Sequence, residues 1–277
     1  MLVKLRLSLT VVFSSVMAFL IAGGGSFTWK AVLILATGGF LVTAAANALN
    51  QVLEKDYDKL MKRTADRPLA SGRMKVSEAV LAAGFMSMTG IVLLALFNPW
   101  TSFLGTLALV SYAFVYTPLK RITPLAVVVG AIPGALPTLI GCVAAQGQLS
   151  WLGLMLFGLQ FFWQFPHFWS IGWLGFQDYQ KAGYKIMPVG DDSAPDSSVG
   201  LQSLIYTLFL YPVIFGLWYN GAAGLVSLSL LTVLSLCYSV LSWNFYRNMD
   251  KKTALQLMFF SFLYIPVSLI AVYVDMF

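Results

Sequence analysis

Asn50, Glu54 and Asp58 recur at four-residue intervals within the polar stretch Asn47 to Met74, NALNQVLEKDYDKLMKRTADRPLASGRM. On a helix of about 3.6 residues per turn such residues form one stripe, drifting by roughly 40° per step. One carboxamide and two carboxylates therefore face the same way. Hard divalent cations such as Mg2+ take oxygen ligands and are commonly held by one or two carboxylates together with substrate phosphates. Lys62, Arg63 and Arg67 follow within two turns, so the pattern suits a divalent ion and a polyanion held together. Pro68 is expected to end the helix, because the residue before a proline is pushed out of the α region. The competing explanation is a solvated loop with ordinary charges. Against it, Ala31 to Asn50 carries no charge, so the stripe begins inside an apolar segment.

Two further segments carry usable groups. In WLGLMLFGLQFFWQFPHFWSIGWLGFQDYQKAGYKIMPVG, Pro166 is expected to kink a helix, and His167, the only histidine, follows it among Phe161, Phe162, Trp163, Phe165, Phe168 and Trp169. An ionisable group at membrane depth is a candidate functional residue, and an interfacial packing histidine is the alternative. Asp178 emerges next, with Lys181 and Lys185 behind it. YTPLKRITP, Tyr116 to Pro124, adds Lys120 and Arg121 between prolines, as phosphate contacts or plain topology anchors. Asp191, Asp192 and Asp196 lack helical spacing and read as a solvated stretch.

The elements that must position these groups follow from composition. The chain is 59% hydrophobic and 10% charged, with mean hydropathy +0.80, whereas a soluble globule is about 25% charged. An all-α integral membrane protein is expected. Nine stretches are long enough to span a bilayer, near 7 to 24, 29 to 49, 78 to 97, 101 to 118, 124 to 145, 151 to 175, 201 to 220, 222 to 245 and 254 to 274. With the N-terminus inside, sixteen of the seventeen basic residues fall on the cytoplasmic side and only Lys30 lies outside, as the positive-inside rule requires. The C-terminus is then outside, and the long polar loops 50 to 77 and 176 to 200 face the cytoplasm as candidate active-site loops. The first apolar run is expected to stay as a helix rather than be removed as a secretory leader. The net charge of +6 reads as topology and anionic-lipid contact, with no call for nucleic acid. Cys142 and Cys237 lie in spans without metal-ligand spacing and read as small apolar side chains.

The stripe N-x-x-x-E-x-x-x-D at Asn50, Glu54 and Asp58, continuing into MKRTADRPL, resembles the first acidic motif of the intramembrane prenyltransferases of the UbiA superfamily. PHFWS at Pro166 to Ser170, DYQKAG at Asp178 to Gly183, MPV at Met187 to Val189 and YTPLKRITP are similar to the protohaem farnesyltransferase branch, over about Lys4 to Val189. Glu54 and Ala182, where many relatives have Asp, fit that branch. Lys4, Leu5 and Arg6 depart from its Lys-Pro-Arg.

The resemblance implies a UbiA-like bundle in a single domain, 1–277, in the cell inner membrane. The implied reaction transfers a farnesyl group from farnesyl diphosphate to a vinyl group of protohaem, haem B, which is substrate and not a resident cofactor. Asn50, Glu54, Asp58 and Asp178 would be catalytic and hold Mg2+. Lys62, Arg63, Arg67, Lys120, Arg121 and Lys181 would bind diphosphate, and His167 haem. Partners would be the lipid bilayer and haem A synthase or oxidase assembly factors. A prenyltransferase for an aromatic or quinone precursor, a transporter and a haem-binding membrane subunit remain alternatives.

Overall fold

A computed structural model describes residues 2–190 and 194–276. Asp191 and Asp192 lie outside them, while Asp196 accepts a hydrogen bond from the Ser198 backbone N–H at 2.6 Å. In chain order the helices are α1 (Leu5–Ala22), α2 (Trp29–Asp58), α3 (Val76–Ala95), α4 (Pro99–Val110), α5 (Thr117–Leu119), α6 (Ala126–Gln146), α7 (Trp151–Leu174), α8 (Phe176–Lys181), α9 (Ser198–Leu208), α10 (Leu210–Tyr219), α11 (Leu225–Asn248) and α12 (Lys251–Val274). A π-helical segment, Ser111–Tyr116, joins α4 to α5, so that Pro99–Leu119 is one span, and α9 with α10 makes another.

Several spans begin at a side-chain cap. Thr28, Asn98, Ser150 and Asp250 accept from the backbone N–H groups of Ala31, Thr101, Gly153 and Thr253 at 3.2, 2.9, 3.1 and 2.8 Å. Each such cap stabilises by about 1 kcal/mol, satisfying a donor that the first helical turn leaves free. Among the described residues eight helices are long and apolar enough to cross a membrane, and the protein is an integral, multi-pass membrane protein. The 24-residue α7 is not one of the eight. Gln160, Gln164, Pro166 and His167 lower its apolar character, and the helix runs on through Pro166 to Leu174.

The bundle is closed by small residues that let backbones meet. At Gly90 in α3 an added Cβ would lie 2.9 Å from the Val42 backbone nitrogen of α2. At Gly141 in α6 it would lie 2.0 Å from the Ser15 carbonyl oxygen of α1. The most enclosed span is α6, with 78% of its apolar stretch buried inside the protein against 22% in α3.

The sequence expectation for the end of α2 needs correction. The helix stops at Asp58, well before Pro68. Thr64 donates its hydroxyl to the freed Asp58 carbonyl at 2.9 Å and Met61 N–H reaches the same oxygen at 3.3 Å. Satisfying a terminal carbonyl in this way replaces the next helical bond. The chain then turns back, so Lys62, Arg63 and Arg67 sit on turns instead of a continued helix.

Candidate active site

The inward face of α2 carries Asn50, Glu54 and Asp58 as a buried stripe, 1%, 5% and 1% exposed. Burying two carboxylates without partners would be prohibitive, and each rung has one. Lys4 donates from Nζ to Asn50 Oδ1 at 2.9 Å. Lys120 is ion-paired with Glu54 Oε1. Arg67 donates from Nη1 to both oxygens of Asp58, at 2.8 and 2.7 Å.

Three separate parts of the chain supply those cations. Arg67 returns on the turns after α2. Lys120 follows α5, where the π-helical segment re-aims the chain: Thr117 donates to the Tyr112 carbonyl at 2.9 Å and accepts from Asn50 Nδ2 at 3.0 Å. Such π segments occur mostly as single-turn insertions in α-helices, frequently at functional sites. Lys4 comes from the segment before α1, pinned where Gln51 donates to the Leu2 carbonyl at 2.6 Å and Ser8 to the Val3 carbonyl at 2.8 Å. Its backbone is left-handed, φ 43°, which costs about 1–2 kcal/mol for a residue with a Cβ. Burial, then Arg67 and Lys120, pull the Lys4 pKa well below the usual lysine value, against Glu54 and Asp58. All five groups thus act on one small volume, in which Arg67 and Lys120 answer the two carboxylates and Lys4 is the cation most readily neutralised.

Around this centre the polar loops interlock. Arg63 donates to the Tyr179 hydroxyl at 3.5 Å, and the Lys185 N–H bonds the Lys120 carbonyl at 2.8 Å. Arg121 bonds the Tyr57 hydroxyl and lies 4.6 Å from that ring's centre. Lys120 lies 5.0 Å from the ring of Tyr116 and 5.3 Å from that of Tyr184. Burial first, then Glu54, pushes the Tyr184 hydroxyl far above the ordinary tyrosine pKa, so it stays a neutral donor. Met61, Ala182 and Tyr184 pack as a small apolar floor with Tyr57 and Tyr179.

Of the residues singled out in the sequence, Asn50, Glu54, Asp58, Arg67 and Lys120 meet directly. Arg63 and Arg121 are exposed beside them, tied to tyrosines, and Lys62 and Lys181 are exposed at the rim. Asp178 is half-buried on α8, next to the Tyr179 that Arg63 reaches. His167 stands apart: its partners are Ser261 and Phe262 of α12 and Trp163 and Phe168 of its own helix. Lys4 was missed as a site residue, since its pairing with Asn50 is invisible to helical spacing. Thr117 lay in YTPLKRITP without a role of its own, and Tyr112 and Tyr184 carried no sequence signature.

Among the described residues no group of three or more His, Cys, Asp or Glu side chains forms a metal cage. The donors present are two carboxylates and an amide oxygen in one line. That set fits an ion completed by a polyanion's own oxygens and not an ion enclosed by protein alone.

The chain as a whole matches known proteins. Residues 11–263 match the model of the UbiA prenyltransferase family. The protoheme IX farnesyltransferase of Cytophaga hutchinsonii is 39% identical over 275 residues, 99% of this chain and 96% of that protein. A solved structure of digeranylgeranylglyceryl phosphate synthase superposes with a TM-score of 0.82 at 16% identity, covering 99% of this chain and 96% of the other. A UbiA homologue from Archaeoglobus fulgidus, bound to GPP and Mg2+, does so with a TM-score of 0.62 at 17% identity, covering 98% and 99%. An all-helical membrane bundle with a buried, cation-paired acidic stripe, matched from α1 into α12 by the family model, is a member of the UbiA prenyltransferase family.

Proposed function

We infer that the chain transfers a farnesyl group from farnesyl diphosphate to a vinyl group of haem B, giving haem O. The likeness to protoheme IX farnesyltransferases over nearly the whole chain supports the pair of substrates. The observation that carries the chemistry is the buried ladder Lys4–Asn50, Lys120–Glu54 and Arg67–Asp58.

In the transfer, the bond from farnesyl C1 to the diphosphate oxygen breaks while C1 bonds to the terminal vinyl carbon. The positive charge left on the adjacent carbon is quenched by water, which releases a proton. The barrier lies in the charge that develops on diphosphate, and fixed cations aimed at it act without reorganising. Lys4, Lys120 and Arg67 do this from the buried side, and Arg63 and Arg121 from the loop side. Lys62 and Lys181, at the rim, draw the anion in. A divalent ion such as Mg2+ would be held by Asn50, Glu54 and Asp58, with Asp178 as a further carboxylate that α8 would have to bring to it, and would supply Lewis-acid charge to the leaving group. The apolar walls of the bundle take the isoprenoid tail and keep bulk water from the cation. The aromatic face of α7 offers a surface for the macrocycle.

The same reading treats 1–277 as one domain with nine spans, in which α7 is the sixth. The N-terminus is inside, the C-terminus outside, and the site faces the cytoplasm from the inner membrane. Product would pass to haem A synthase or an oxidase assembly factor. Maleimide applied to intact cells should label Gly147→Cys and Gly221→Cys but not Gly72→Cys, and external labelling of Gly72→Cys would reverse the orientation and move the site with it.

Purified protein in proteoliposomes, given labelled farnesyl diphosphate, Mg2+ and haem B, should yield haem O by chromatography and mass. Label appearing only in a quinone or aromatic acid precursor, when that is offered beside haem, would overturn haem as the acceptor.

A further inference from the structure

Tyr184 carries the second polar loop into the acidic stripe. Gly183, at φ 70°, turns the chain after α8, and the Tyr184 N–H closes the turn on the Tyr179 carbonyl at 2.9 Å. The next residue is clamped across the centre, where the Lys185 N–H bonds the Lys120 carbonyl. The ring thereby lies inside, 7% exposed, with Tyr57 and Tyr179 at 6.0 and 6.1 Å. Its centre is 5.3 Å from the Lys120 ammonium, which also lies 5.0 Å from Tyr116. Two aromatic rings therefore hold the cation that pairs with Glu54, each by the attraction of a ring face for positive charge.

Packing accounts for the ring and leaves the hydroxyl unexplained. Burial, then Glu54 and Asp58, keep its proton on, and Arg67 acts the other way, so the oxygen points among the charges of the stripe. Glu54 lies near enough to attract the proton, yet no hydrogen bond of full geometry closes on it or on any other described residue. The neighbouring hydroxyls differ: Tyr57 accepts from Arg121 and Tyr179 from Arg63. A buried donor without a partner costs stability that a phenylalanine of the same shape would not. Such a group in a site built for a polyanion points to the ligand as the missing acceptor.

We propose that the Tyr184 hydroxyl donates a hydrogen bond to an oxygen of the isoprenoid diphosphate beside Lys120, and is thus a further catalytic residue of the transfer. The proposal rests on a prenyl diphosphate as the donor substrate. Because the phenol stays protonated, it grips the leaving group without surrendering its proton, and the bond strengthens as charge builds on the diphosphate. A neutral donor also adds to the grip without repelling Lys120, Arg67 and Lys4. The ring that caps Lys120 carries the hydroxyl, so ammonium and O–H are set together towards one phosphoryl group.

Tyr184→Phe keeps the ring and removes the donor. In calorimetric titrations of detergent-purified protein with inorganic diphosphate in Mg2+, the variant should bind about tenfold more weakly or worse. Turnover in proteoliposomes should fall by about a hundredfold, the effect of losing one donor aimed at developing charge. The melting temperature without diphosphate should stay level or rise, since an unpartnered hydroxyl has gone, and diphosphate should raise it by less than in the unaltered protein. Equal diphosphate affinity in the two proteins would overturn the assignment. So would a lower melting temperature, which would make the hydroxyl a structural donor to Glu54. Failure of the unaltered protein to bind diphosphate at all is a separate result, which would overturn the diphosphate site together with the role of Tyr184 in it.

Discussion

Asp58→Asn is expected to lower turnover by about two to three orders of magnitude, the cost of removing one preorganised charge from a leaving-group site. Asp58 is 1% exposed and accepts two bonds from Arg67. Asparagine keeps the size but offers one oxygen and a donor that faces the guanidinium, so both the acid and the aim of Arg67 are lost. Initial rates in proteoliposomes, with folding followed by thermal melting, give the measurement. Asp66→Asn is the control: Asp66 is 96% exposed and pairs with an exposed Arg73, a contact worth about 1 kcal/mol or less. Near-normal turnover of Asp58→Asn at limiting Mg2+ would remove Asp58 from the site.

Glu54→Gln should unfold more readily as well as lose activity, and a second substitution should separate the two effects. Glu54 and Lys120 are 6% and 12% exposed at the side chain. Breaking such a pair from one side leaves a buried charge uncompensated, at a cost of about 3–5 kcal/mol, whereas replacing both by apolar groups is often neutral. Glu54→Leu combined with Lys120→Met is therefore expected to regain most of the melting temperature lost by Glu54→Gln alone and none of the turnover. Recovery of turnover along with stability would mean that the pair only holds the loops together.

The bilayer made much of the fold legible, because a membrane helix must be long and uncharged, and those lengths are visible residue by residue. The four-residue spacing of Asn50, Glu54 and Asp58 was legible for a similar reason: it lies within one helix, whose period is fixed. What answers that stripe was not. Lys4 lies 46 positions from Asn50, and although it stands where the family has Lys-Pro-Arg, nothing around it pairs it with that residue. Arg67 reaches Asp58 only because Thr64 ends the helix early, so a helical projection gave it the wrong route to the correct neighbour. The π-helical segment before Thr117 likewise has no signature in SYAFVY, since its extra residue is accommodated by packing. The alternatives left open by residue types alone, a transporter or a haem-binding membrane subunit, are settled at the family level by the match over residues 11–263.

The contact at Gly141 makes α1 a lever. With an added Cβ only 2.0 Å from the Ser15 carbonyl, the two helices touch backbone to backbone, and Ser15 becomes a fulcrum. Lys4 is eleven residues away, about 16 Å along the axis at 1.5 Å per residue. A tilt of about 10° at the fulcrum would carry its amine by about 3 Å, the length of the bond it makes to Asn50. The bond from Lys4 to Asn50 is thereby geared to the packing of α1 on α6, and whatever splays the two helices would detune the site without touching any of its residues.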